Sequence, residues 1–114
     1  MAQRGLAALA LGLLLAAPVR ADTASVAARL EGEKAECDFL LNLCRVANRA
    51  ARFAHDTPHA PETEILTTRQ AHDVELHTRD ALEAGRVLRD KHGGKRLACF
   101  DDPECAFVKA RLFP

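Results

Sequence analysis

The side chains with the most chemistry in this 114-residue sequence are four cysteines, Cys37, Cys44, Cys99 and Cys105. In an oxidising compartment an even number of thiols in a short chain reads as a disulfide framework, and four allow three pairings. Cys37 and Cys44 lie in one apolar-periodic stretch. On a continuous helix their seven-residue step, at 1.5 Å per residue, separates the Cα atoms by about 10.5 Å, beyond the roughly 7 Å that a bridge can span. Each must then pair with Cys99 or Cys105. If the chain turns back once, the tail beyond residue 92 runs beside the first helix in that helix's own direction, which predicts Cys37 with Cys99 and Cys44 with Cys105. A four-thiolate zinc site is the competing chemistry, but the Cys-x6-Cys and Cys-x5-Cys spacings miss the shorter knuckle spacing of zinc ribbons. There is no Cys-x-x-Cys for thioredoxin-type exchange and no Cys-x-x-Cys-His for covalent haem.

Histidines offer a second chemistry. His55, Asp56 and His59 could form a surface copper or zinc site at an inter-helix turn, although His55 and His59 straddle Pro58 and need not share a helical face. His72 and His77 differ by about 140° around a helix. His77 falls between Val74 and Ala81 in an apolar stripe, where a packed histidine with one satisfied nitrogen is expected. A third group, Arg45, Arg49 and Arg52, shares one helical face with Asp38 and Asn42. Guanidinium groups at that spacing can grip carboxylates or phosphates, and a plain solvated face is the alternative.

Enzyme chemistry finds little support. The sequence has no Gly-x-Ser-x-Gly, no His-Glu-x-x-His and no phosphate-cradling glycine loop, and Ser25 is its only serine. Each prominent acid has a basic neighbour four residues away or a capping role. No catalytic residue and no cofactor is indicated.

The elements that must position these groups are helical. The first is expected from about Thr23 to about Phe53, with Gly32 a weak point where it could kink or start late. At 100° per residue Cys37, Leu40, Cys44, Ala47 and Ala51 fall together, Leu41 flanks one side, and Phe39, Leu43, Val46, Ala50 and Phe53 flank the other. The segment His55 to Pro61 holds two prolines and is a turn. Pro61 or Thr63 opens a second helix, stabilised by Glu62 and Glu64 at its positive end and closed by Gly93-Gly94. Its inward stripe is Leu66, Val74, Ala81, Ala84 and Leu88. On its outside Arg69 with Asp73, Glu75 with Arg79, and Arg86 with Asp90 stand four apart. Asp102-Pro103-Glu104 reads as the capped start of a brief helix that carries Cys105, Val108 and Leu112 inward.

The N-terminus has the three parts of a secretory signal: Arg4, an apolar run from Leu6 to Ala17, and the small-residue end Val19-Arg20-Ala21. The run is too short to span a bilayer, which takes about 20 apolar residues. Residues 1–21 are therefore expected to be a cleaved signal peptide, leaving 22–114 as one disulfide-stapled helical domain. Arg4 and Arg20 leave with the signal, so the 16 basic residues become 14 against 16 acidic ones. A slightly acidic chain without Trp or Tyr is a poor nucleic-acid binder, because such binding draws on a basic face and stacking rings.

From Cys99 to Leu112, with Asp102-Pro103-Glu104 soon after a cysteine, the chain resembles a short segment of an exported lysozyme-inhibitor family. It departs at Cys105, where that family has leucine, and the capping signature accounts for the same residues, so no family is assigned. The expectation is an all-α protein: an antiparallel helical hairpin plus a short C-terminal helix, clamped by two disulfides after a signal peptide. It is expected to act outside the cytoplasm, in the periplasm or extracellular space, as a non-enzymatic module whose partner is another protein. Self-association is compatible with that reading. A histidine-based metal-binding protein is the alternative, and a small enzyme the more remote one.

Overall fold

Gly32 divides the first helical stretch. In the computed structural model, which describes residues 18–56 and 64–114, Gly32 has φ +96°, a region open to glycine and costly for other residues. The single helix expected from Thr23 to Phe53 is therefore two, α1 (Pro18–Arg29) and α2 (Glu33–Asp56). The physical reason lies on both sides of the break. A glycine inside a helix costs about 1 kcal/mol relative to alanine, and Glu33 and Glu36 in the first turn of α2 favour a fresh positive helix end. The Glu36 amide donates to the Gly32 carbonyl at 3.1 Å, which starts the new ladder. α1 begins inside the expected signal segment and runs through the expected cleavage point after Ala21; most of that segment, and the turn at 57–63, lie outside the described residues.

α3 (Glu64–Lys91) returns antiparallel to α2 and stops where the sequence predicts. Gly93 and Gly94 take φ +66° and +89°, and their amides donate to the carbonyls of Asp90 at 3.1 Å and Arg89 at 2.8 Å, the left-handed cap that glycine favours. The tail then makes two 3-10 turns, Ala98–Asp101 and Pro103–Cys105, before a short α4 (Ala106–Leu112). Asp102 accepts from the Glu104 amide at 2.9 Å, with Pro103 next in line, so the predicted cap is in place.

The core lies where α2, α3 and the tail meet. Leu40 and Cys44 of α2 are buried with Ala81, Ala84 and Leu88 of α3 in one cluster, and Phe100 and Val108 of the tail close the space. Phe113 meets the Phe100 ring edge-on, with centroids 4.9 Å apart. α1 joins this core through Ala27. The predicted stripes hold near the open end of the hairpin, where the tail packs, and fade toward the turn that joins α2 to α3. Ala51 is exposed, because the tail is pinned to α2 at Cys37, Cys44 and Asn48, all before it. His77 is half-buried: its side chain is 36 % exposed and its Nε2 lies 3.8 Å from Asp73 Oδ1. Of the expected surface pairs, Glu75 with Arg79 forms at 3.5 Å, whereas Arg86 turns back to Glu83 at 2.9 Å and Asp90 is taken by Arg89.

Both disulfides have the predicted connectivity, Cys37 with Cys99 and Cys44 with Cys105, each with Cα atoms 5.3 Å apart. They close sequence separations of 62 and 61 residues, worth about 4 kcal/mol for the first to form. The second closes only the shorter circuit through the first, roughly 14 residues, and adds about 3 kcal/mol. Replacing either pair by alanine is accordingly expected to cost about 3 kcal/mol, and replacing both about 7 kcal/mol, measured by urea unfolding.

A second prediction concerns Gly85, on the buried face of α3. A Cβ there would sit 2.8 Å from Val108 Cγ1 and 2.9 Å from Leu112 Cδ1, so the close approach of α4 depends on glycine. Gly85→Ala gains up to about 1 kcal/mol of helix propensity but overpacks a site that cannot yield at fully buried Val108, at about 2 kcal/mol. The net expectation is a lower urea midpoint, the reverse of the usual effect of glycine-to-alanine in a helix.

Candidate functional site

α2 presents two unlike faces. Its inner face carries Cys37, Leu40, Cys44 and Ala47, all buried. Its outer face carries Asp38, Asn42, Arg45, Arg49 and Arg52, all exposed, as the periodicity predicts. Arg45, Arg49 and Arg52 fall within about 60° of arc and span about 10.5 Å of helix axis. None of the three makes an ion pair or hydrogen bond among the described residues. One turn before them, Asp38 is held by Lys34 at 2.8 Å. From Phe39 to His55 the helix contains no Asp or Glu; the nearest acids on α2 are Asp38, seven residues before Arg45 and held by Lys34, and Asp56, four residues after Arg52 at its last position.

The buried acid of α2 was not singled out by sequence reasoning. Glu36 sits on the inner face of α2, four residues before Leu40, and is 1 % exposed. Its carboxylate accepts from Lys91 Nζ at 2.8 Å and lies 2.9 Å from His92 Nε2. The same Lys91 ammonium donates to the backbone carbonyls of Leu30 and Ala27, at the negative end of α1. Burial disfavours the charged carboxylate, but hydrogen bonds from Lys91 and His92, and then their charges, more than offset it, so the Glu36 pKa lies below its usual range. One side chain of α3 thus ties the end of α1 to the start of α2. The available signal was an acid inside an apolar arc, opposite the Lys91-His92 pair that ends the returning helix.

Two other polar contacts fix the tail. Asn48 Nδ2 donates to the Glu104 carbonyl at 2.7 Å and to Glu104 Oε1 at 2.8 Å. Asp101 is gripped by Lys109 at 2.8 Å and Arg96 at 3.1 Å. The Lys109 hydrogen bond is the largest cause holding the Asp101 carboxyl below its usual pKa, against a burial penalty. These groups are satisfied by one another, and the Ser25 hydroxyl accepts from Arg29.

The metal candidates are not brought together. His55 is exposed in the last turn of α2, while the Asp56 side chain and His59 lie outside the described residues. Among the described residues no group of three or more His, Cys, Asp or Glu side chains could hold a metal ion. All four cysteines are bonded in pairs, which removes the four-thiolate zinc alternative.

Fold and site together define a class: a small all-helical chain stapled by two disulfides, with an arginine-bearing helix face turned to solvent. The chain matches no protein-family model, no curated protein and no solved structure. The short likeness of Cys99 to Leu112 to a lysozyme-inhibitor segment is accounted for by the Asp102 cap.

The depressed Glu36 pKa makes a signed prediction. A carboxyl whose pKa is lower in the folded than in the unfolded state contributes stability at pH values above the unfolded value and loses it as pH falls through the folded one. Here that loss belongs below the ordinary value of 4.5. Lys91 and His92 are 29 % and 31 % exposed, which screens the pairs in part. Glu36→Gln is therefore expected to cost about 3 kcal/mol at neutral pH, and urea titrations should show its gap from the parent protein narrowing steadily from pH 5 to pH 3.

Proposed function

We propose that this protein is a small exported, non-enzymatic interaction module of the cell envelope or extracellular space, which presents the outer face of α2 to another protein as an inhibitor, adaptor or chaperone-like hairpin. The observation that carries this reading is the division of α2: its inner face is bonded to the tail through two disulfides, while its outer face is exposed from Asp38 to Arg52. A helix already ordered by covalent clamps loses little conformational freedom on binding, so more of its contact energy appears as affinity. Two disulfides in a chain this short are compatible with an oxidising location, and the N-terminal Arg4, Leu6–Ala17 and Val19-Arg20-Ala21 pattern supports export. Among the described residues no helix is long and apolar enough to cross a membrane.

The test is a photo-crosslinker placed at Asn42, on the outer face, and at Glu83, on α3, in cells producing the full chain. The expected outcome is one recurrent adduct, to a second protein or to another copy of this chain, from Asn42 and not from Glu83. A protein that stays monomeric by sedimentation and yields no adduct from Asn42 overturns the reading. N-terminal sequencing of the exported protein is expected to begin at Asp22.

A further inference from the structure

We infer that the outer face of α2 recognises an acidic protein segment, with Arg45, Arg49 and Arg52 acting as a ladder of guanidinium groups for carboxylates spaced along a partner helix. This rests on the interaction reading above and names the chemistry of the partner.

Three observations carry it. The ladder is locally basic in a chain with 16 basic and 16 acidic residues, so it is not a by-product of overall composition. Many other surface cations have acidic neighbours: Lys34 has Asp38, Arg79 has Glu75, Arg86 has Glu83, and Arg96 and Lys109 share Asp101, while those without one among the described residues, such as Arg69, Lys95 and Arg111, stand singly and not in a row. Arg45, Arg49 and Arg52 form a row of three with no ion pair among the described residues; on α2 the stretch Phe39 to His55 supplies no acid, and Asp56 lies within one turn of Arg52 alone.

The geometry suits carboxylates on a helix. The arginines recur at i, i+4 and i+7, a rise of about 10.5 Å, and acids at the same spacing on a partner helix repeat with the same rise. The guanidinium fork binds a carboxylate through two parallel hydrogen bonds and is weakly hydrated for a cation, which lowers the cost of bringing it against a partner. Nucleic acid fits less well. A stable phosphate-backbone complex draws on roughly 6–10 phosphate contacts, whereas this ladder provides three cations, and the chain has no Trp or Tyr on which bases could stack.

The experiment measures fluorescence anisotropy of a labelled alanine-based helical peptide with Glu at i, i+4 and i+7 on one face. It is titrated with the oxidised full chain and with the Arg45→Gln/Arg49→Gln/Arg52→Gln variant, whose folding is checked by circular dichroism. A peptide with Gln in place of Glu and a single-stranded oligothymidine of matched charge are run alongside. The expected result is saturable binding of the Glu peptide, at least about tenfold weaker in the triple variant and weakened by added salt, with no binding of the Gln peptide. Equal binding by parent and variant, no binding of the Glu peptide at low salt, or tighter binding of the oligothymidine each overturns the inference. If the triple variant still gives the Asn42 adduct in cells, the interaction reading stands and the acidic ladder falls.

Discussion

Everything else in this fold depends on two sulfur bridges that land on the same side of one helix. Cys37 and Cys44 are two turns apart on α2, too far to bond each other and well placed to hold the two 3-10 turns of the tail side by side with the helix. The tail is short, and two 3-10 turns and a seven-residue helix would not stay ordered by local propensity alone. Covalent attachment at two points sets its register, and Phe100 and Val108 can then pack into the core between α2 and α3. The absence of a side chain at Gly85 lets α4 lie down close to α3.

α1 lies outside that covalent frame. No cysteine falls within it, and it joins the core through Ala27 and through Lys91, which reaches across from the end of α3. That lysine is shared between the α1 carbonyls and the buried Glu36 carboxylate, so the glycine break at residue 32 and the clasp around Glu36 are linked features. The break frees the carbonyls that Lys91 caps, and the new helix start brings Glu36 to the position that Lys91 and His92 satisfy. A buried carboxylate is tolerated here because both of its oxygens have cationic or hydrogen-bonding partners.

The clamps also explain how α2 can serve two purposes. A helix of 24 residues bound along one side by disulfides, apolar packing and the Asn48–Glu104 contact can leave its other side to solvent and charge. Arg45, Arg49 and Arg52 stand on that side, exposed, in a stretch from Phe39 to His55 that carries no acid.

Much of this was legible in the sequence. Helical periodicity separated the inner from the outer face of α2, two glycines marked where α3 ends, an Asp-Pro pair marked the capped 3-10 turn that leads into α4, and the rise of a helix excluded a Cys37–Cys44 bond. Those features are local, set by backbone geometry within a few residues. The tertiary structure decided what depends on distant segments meeting. It exposed Ala51, which lies beyond the reach of the tail, and left His77 half-buried; it paired Arg86 with Glu83 in place of Asp90; and it buried Glu36 between Lys91 and His92, more than 50 positions away. A periodic pattern shows that a side chain faces inward, but only the packing of a second element decides whether it meets a carbon surface, an ammonium group or water.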